Sequence, residues 1–140
     1  MPASVLVIAD RTDIATLIGR CLTGLGLHPI IATDVRQAGL LMARETPAAA
    51  VLDLAAPGHC DAVVQWLRRD PAREAIAIVR VSALARSAAS RGDLSSDIRV
   101  PKPFTPKQIA DAVRTALARR MARERVMTAP SSIAPSSATI

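Results

Sequence analysis

Short apolar runs alternate with amphipathic stretches along this chain. Five short, mainly apolar runs predict strands, and the first of them, residues 5–9, lacks polar alternation, which is typical of a buried strand. They cover residues 5–9, 28–32, 49–54, 76–81 and 98–100. Between them, apolar residues recur at intervals of three and four, which predicts helices over about 13–25, 34–45, 61–69 and 106–125.

Three of these helices carry capping signals at their N-termini, and Asp61 can cap the third predicted helix. Asp34 can act as the N-cap of the second predicted helix. At the last helix, Thr105 as N-cap and Gln108 three residues later form a capping box. Phe104 and Ile109 flank that box and can form a hydrophobic staple. The start of the last helix is therefore the best-signalled boundary in the chain.

Two stretches are less regular. Residues 83–96 begin with helix-forming alanines but few large apolar side chains, so they predict a weak fourth helix. Residues 126–140 are rich in Ser, Ala and Pro without periodicity, which predicts a disordered tail. We therefore expect one domain over residues 1–125.

The alternation of strands and helices predicts an α/β fold. Five buried strands separated by helices call for a parallel sheet that is covered on both faces. The connections are short, as such units require. The expected architecture is a doubly wound, five-stranded parallel sheet.

Composition and charge narrow the classes of protein. No apolar run approaches the ~20 residues of a transmembrane helix. The N-terminus has no basic stretch before its apolar run, which argues against a secretory signal. Cys21 and Cys60 have no metal-ligand spacing and are expected to be reduced thiols in a cytoplasmic protein. The net charge of +6 comes mainly from scattered arginines with almost no aromatic residues beside them, so nucleic-acid binding is disfavoured.

Three of the strand-like runs lead to charged residues. Asp10 follows the first run, Asp53 lies in the third, and Lys102 follows the fifth. Because the carboxyl ends of parallel strands open onto one crevice, these side chains are expected to converge there. The sequence thus predicts a small acidic metal site with one lysine beside it.

Four segments in this order resemble the receiver domains of two-component response regulators over about residues 4–120. They are VLVIAD at 5–10, AVLDLAAPG at 50–58, RVSAL at 80–84 and PKPF at 101–104. The resemblance implies the CheY-like form of the flavodoxin-like fold, with strand order 2-1-3-4-5.

The resemblance also implies a role for each site residue. Asp53 would accept a phosphoryl group, and Asp10, Asp53 and the backbone carbonyl of Ala55 would bind Mg²⁺. Hard oxygen ligands of this kind suit that ion. Ser82 would hydrogen-bond a phosphoryl oxygen.

Two further roles follow from the same likeness. The Ala83 amide would donate to another phosphoryl oxygen. Lys102 would pair with the phosphoryl group as a compact point charge, a role that the wide fork of arginine would not fill. A cis peptide bond between Lys102 and Pro103 would direct the ammonium into the crevice. By contrast, His59 is expected to be a loop residue, and Trp66 a core residue.

This chain departs from the family's pattern at four places. Ala9 stands where the family usually has a second acid, which predicts weaker Mg²⁺ binding than is usual. Arg99 stands where an aromatic switch residue is expected. The stretch from Ser82 to Lys102 is a couple of residues shorter than usual, and Pro101 stiffens the loop before the lysine. These departures concern how a phosphoryl group would be sensed more than how it would be accepted.

The leading interpretation is a stand-alone receiver, a phosphoacceptor switch and not an enzyme beyond self-catalysed phosphorylation and dephosphorylation. Its phosphoryl donor would be a histidine kinase or a histidine phosphotransfer protein, and it would signal by contact with a downstream protein. A homodimer is compatible with this. The first alternative is a degenerate pseudo-receiver that binds partners without phosphorylation. A nucleic-acid binder using the arginine-rich last helix and a nucleotide-binding enzyme are weaker alternatives, the latter because no G-x-G-x-x-G motif follows the first strand.

Overall fold

The computed structural model describes residues 3–56, 58–82 and 98–138, with the side chains of residues 82 and 126–138 left out of the description. Five strands form one parallel sheet. They are β1 Ser4–Ala9, β2 His28–Ala32, β3 Ala49–Asp53, β4 Ala77–Ser82 and β5 Ile98–Pro101. Their order is β2-β1-β3-β4-β5, so the predicted doubly wound fold and strand order are confirmed.

Four helices and a short 3₁₀ turn lie within the described residues. They are α1 Thr12–Gly24, α2 Val35–Met42, α3 His59–Arg68 and α4 Pro106–Ala138, with the 3₁₀ turn at Pro71–Arg73. None of the described helices is long and apolar enough to cross a membrane. The weak fourth helix expected within residues 83–96 falls outside the described residues, so α4 here denotes the last helix.

The helix boundaries differ from the predicted ones at three places. The second helix ends at Met42, three residues earlier than expected. The third begins at His59, so Asp61 lies in its first turn instead of capping it. The last is helical to Ala138, beyond the end expected near Arg125, although Pro130 and Pro135 lie within this extension. The proposed domain boundary at residue 125 stays a prediction.

The predicted capping signals of α2 and α4 are present. Asp34 accepts a hydrogen bond from the Gln37 amide at 2.8 Å. At α4 the capping box closes in both directions, because the Gln108 amide donates to the Thr105 hydroxyl at 3.2 Å and the Gln108 side chain accepts from the Thr105 amide at 2.7 Å. These bonds satisfy backbone donors that a helix start leaves without partners.

Two apolar cores cover the two faces of the sheet. On one face, buried residues of α1 and α4 pack against β1, β3, β4 and β5. On the other, α2 and α3 pack against inward side chains of β1, β3 and β4. Since successive side chains of a strand point to opposite faces, each central strand contributes to both cores. The helices thereby hold the carboxyl ends of β1, β3 and β4 at one edge of the sheet, where the predicted site residues lie.

Candidate functional site

Asp53 is the last residue of β3 and has a buried carboxylate, only 4 % exposed. Lys102 follows β5, and its ammonium nitrogen lies 2.6 Å from Oδ1 of Asp53. The Lys102–Pro103 peptide bond is cis, as the resemblance implies. A buried carboxylate requires a compensating cation or hydrogen bonds, and the ammonium supplies the cation. The predicted convergence of these two side chains is therefore present.

Asp10 lies beside Asp53 because β1 and β3 are adjacent strands. Their register places Ala9 opposite Asp53, and the Asp10 amide donates to the Asp53 carbonyl at 3.1 Å. The exposed carboxylate of Asp10 accepts a hydrogen bond from the Ala55 amide at 2.7 Å. This bond ties the end of β1 to the segment that follows β3. The three residues predicted for a metal site, Asp10, Asp53 and Ala55, are thus brought together.

The donor set fits Mg²⁺ in its chemistry. Two carboxylates and the Ala55 carbonyl would supply hard oxygen ligands, and Mg²⁺ is usually held by one or two carboxylates with water completing its shell. The described residues include no group of three His, Cys, Asp or Glu side chains suited to a metal, so ligation here depends on that carbonyl and on water. Ala9, which stands where the resemblance leads one to expect another acid, is buried in the core.

The structure describes the remaining predicted site residues only in part. Ser82 ends β4 and lies opposite Pro101 in register, which puts it at the correct edge of the sheet. Its side chain and the whole of Ala83 lie outside the described residues, so their roles stay predictions. His59 begins α3 as an exposed residue, and its amide donates to the Ala56 carbonyl at 3.0 Å.

Arg80 is a residue near the site that the sequence reasoning missed. It lies on β4, two positions before Ser82, and its side chain is only 15 % exposed. Its guanidinium contacts the carboxylate of Asp61, in the first turn of α3, at 2.5 Å. The available signal was an arginine inside an otherwise apolar strand, since a buried charge must find a partner.

Arg99 adds a second cation next to Arg80. The two residues are opposite each other in the register of β4 and β5, so their side chains emerge from the same face of the sheet. Arg99 is partly exposed. Like charges directly across a pair of strands repel. The Asp61 carboxylate, which pairs with Arg80, offsets part of the repulsion between Arg80 and Arg99. A partly exposed guanidinium therefore stands at the position where the resemblance leads one to expect an aromatic ring.

Cys60 shows how closely these charges surround the end of β3. Burial raises the pKa of the Cys60 thiol above its ordinary value of 9.0, and the Asp61 and Asp53 carboxylates raise it further. A hydrogen bond from the Leu54 backbone and the Arg80 guanidinium act in the opposite direction. The charges of the α3–β4 ion pair and of the β3 carboxylate therefore act together on this thiol.

Sequence comparison finds curated relatives at moderate similarity. No protein-family profile matches it. The chain is 29 % identical over 120 residues to a probable transcriptional regulator, ycf27, of Pyropia yezoensis, with 82 % of this chain and 47 % of that protein covered. A counterpart from Porphyra purpurea is 28 % identical over the same length. The chain spans about half the length of these curated relatives.

Solved structures match most of this chain and nearly the whole of their own chains. A sensor protein from Polaromonas sp. JS666 superposes with a TM-score of 0.73 at 27 % identity, covering 84 % of this chain and 98 % of that one. The signal receiver domain of a signal transduction histidine kinase from Syntrophus aciditrophicus gives a TM-score of 0.70 at 19 % identity, covering 83 % and 90 %. The second likeness concerns the fold alone.

Proposed function

This chain has the fold of two-component response-regulator receiver domains, and we propose that it is a phosphoacceptor switch centred on Asp53. The observation that carries this proposal is the buried Asp53 carboxylate at the carboxyl end of β3, with the Lys102 ammonium 2.6 Å away. A buried ion pair of this kind contributes little to stability, because both charges lose their hydration. As a phosphoryl acceptor site it is well suited, because the buried carboxylate, the cation and the exposed second carboxylate each contribute to phosphoryl transfer.

The proposed reaction moves a phosphoryl group from a phosphohistidine to Asp53. A carboxylate oxygen of Asp53 forms a bond to phosphorus while the bond from phosphorus to the donor imidazole nitrogen breaks, and the imidazole leaves with the bonding electron pair. Lys102 pairs with the charge on the phosphoryl oxygens, in the position it already holds beside the carboxylate. The site thus positions the phosphoryl group and neutralises the charge on its oxygens, the two contributions that dominate catalysis of phosphoryl transfer.

Mg²⁺ held by Asp10, Asp53 and the Ala55 carbonyl would supply further positive charge to the phosphoryl oxygens. Asp10 also has a role of its own, because its bond to the Ala55 amide fixes the segment after β3 next to the acceptor. The core position of Ala9 leaves two carboxylates at the site. We therefore expect Mg²⁺ to bind less tightly than in receivers with a third acid.

The proposed partners follow from the reaction. A histidine kinase or a histidine phosphotransfer protein would be the donor, and a downstream protein would read the phosphorylated state by direct contact. Arg99 changes what that protein would meet, since it presents a guanidinium where receivers have an aromatic ring. In this proposal the chain acts as a switch and not as an enzyme with a separate substrate.

Direct phosphorylation tests the proposal. The purified chain is incubated with Mg²⁺ and a small phosphodonor such as acetyl phosphate, and its intact mass is measured. We expect the gain of one phosphoryl group in the wild type and none in Asp53→Asn. Asp111→Asn, which removes an exposed carboxylate on α4, is the matched control and should be phosphorylated normally. A wild-type chain that gains no phosphoryl group and shows no spectral change with beryllofluoride would instead support a pseudo-receiver.

A further inference from the structure

The ion pair between Arg80 and Asp61 joins β4 to the first turn of α3. Arg80 is mostly buried, whereas the Asp61 side chain is 64 % exposed. Arg80 lies opposite Leu52 of β3 in register, on the sheet face that α3 covers. The contact therefore connects β4, near its carboxyl end at Ser82, to the start of α3, the helix that follows Asp53 in the sequence.

The start of α3 has few other anchors. Its N-cap is Gly58, which adopts a left-handed backbone with φ of 77°, and no described side chain caps this end. Asp61 is the acidic residue of the first turn, where a carboxylate interacts favourably with the helix dipole. Because this carboxylate also contacts Arg80, it fixes the helix start to β4. The ion pair thus replaces a side-chain cap as the anchor of this end of α3.

The segment between the ion pair and the acceptor carries the proposed metal ligand. Asp53 and Asp61 are eight positions apart, and Ala55 lies between them. One end of the segment is held by β3 and by the bond between Asp10 and the Ala55 amide. The other end is held at Asp61. Movement of the start of α3 would therefore displace the backbone that must present the Ala55 carbonyl.

The charges on this segment act on a common neighbour. Arg80, Asp61 and Asp53 all shift the pKa of the Cys60 thiol, and the Leu54 backbone hydrogen-bonds its sulfur. The ion pair and the acceptor carboxylate are consequently close enough to influence the same group.

We propose that the Arg80–Asp61 ion pair is a positioning element for the acceptor site, holding the segment from Asp53 to α3 so that Ala55 stays against Asp10. The consequence for phosphorylation rests on the function proposed above. Arg80 and Asp61 are not among the residues proposed to contact the phosphoryl group. They act through the backbone of the connecting segment, and a purely packing role for Arg80 would not require the Asp61 carboxylate.

A double-mutant cycle tests the pair on the full chain. Arg80→Met and Asp61→Asn each remove one charge with little change in side-chain size, and their combination removes both. Amide hydrogen exchange is followed at Ala55, with the amides of β1 as an internal reference for global stability. Arg73→Met is the matched control, because Arg73 also pairs with a carboxylate, Asp70, in the 3₁₀ turn that follows α3.

We expect each single variant to speed Ala55 exchange roughly fivefold, the double variant to match the singles, and Asp61→Glu to retain most of the protection. The reference amides and Arg73→Met should be unchanged. Unchanged Ala55 exchange in Arg80→Met and Asp61→Asn would overturn the proposal. Additive effects in the double variant would also overturn it, because they would show that the two side chains act separately.

The rate of phosphorylation by acetyl phosphate with Mg²⁺ is measured on the same proteins. A roughly fivefold slower rate in both single variants and no further loss in the double variant support the link to function. Normal rates together with faster Ala55 exchange would overturn that link. A wild-type chain that is not phosphorylated at all contradicts the proposed function, and the exchange data then decide alone whether the pair positions the segment.

Discussion

Removing the lysine beside Asp53 should destabilise the protein by stranding a buried charge. At the observed separation of 2.6 Å and an effective dielectric of about 20, the two charges attract by about 6 kcal/mol before desolvation. Breaking a buried pair from one side costs about 3–5 kcal/mol, but Lys102 is 35 % exposed and its attraction is partly screened. We therefore expect Lys102→Met to lower the free energy of unfolding by about 2 kcal/mol.

Urea unfolding followed by the fluorescence of Trp66 measures this change. Trp66 is the one tryptophan of the sequence and packs partly buried against the core. A loss of about 2 kcal/mol corresponds to a fall in Tm of about 7 °C for a domain of this size. Lys107→Met is the matched control, because it removes the other lysine of the sequence from a site that is 83 % exposed. It should change the unfolding free energy by about 0.5 kcal/mol or less.

The same substitution in an Asp53→Asn background isolates the charge pair. Without the carboxylate there is no buried charge to strand, so Lys102→Met should then cost about 0.5 kcal/mol or less. Asp53→Asn alone should be neutral or stabilising, since it removes a desolvated charge. If Lys102→Met costs the same in both backgrounds, its effect comes from the packing of the lysine methylenes, and the electrostatic reasoning is refuted.

Three further changes test other parts of the structure. Gly39→Ala should raise the free energy of unfolding by about 0.5–1 kcal/mol, because alanine favours the helix and its Cβ meets Trp66 at an ordinary contact distance of 3.5 Å. Gly58→Ala should lower it by about 1 kcal/mol, because Gly58 has a positive φ. Urea midpoints in the opposite order would contradict this reasoning. Thr105→Ala should cost about 1 kcal/mol through loss of the α4 cap, and a Tm equal to that of the wild type would count against the cap. Burial raises the pKa of the Cys60 thiol in the folded state, so the thiol of the unfolded chain ionises first as pH rises. The free energy of unfolding should therefore fall as pH rises beyond about 9, and Cys60→Ser should flatten that part of its pH dependence. An unchanged slope in Cys60→Ser would show that other groups cause the fall.

The fold was predictable because its signals are local. Apart from their end residues, β1 and β3 are continuous apolar runs. The last helix, α4, begins with a capping box whose two hydrogen bonds need only neighbouring residues. Helix ends were less predictable. Asp61 has the chemistry of an N-cap, but Gly58 starts α3 earlier because its left-handed backbone turns the chain there. The carboxylate then becomes free to contact a strand, which no local pattern reports.

The candidate site was predictable to the extent that strand ends define it. Asp10 and Asp53 follow from the sheet order, and the contact between Lys102 and Asp53 confirms the expected convergence. The bond from the Ala55 amide to Asp10 was not foreseen, since it depends on how the segment after β3 folds back. Backbone donors carry no sequence signature, so such contacts emerge only from the folded geometry.

Arg80 shows how a charge inside an apolar strand can be interpreted from sequence. The run from Ile76 to Val81 reads as a buried strand, and the arginine within it looks like an exception to be ignored. A buried guanidinium must have an anionic or carbonyl partner, so the exception is itself a prediction of a contact from another element. In a parallel sheet the nearest candidates are the starts of the covering helices, and the acid in the first turn of α3 meets that requirement.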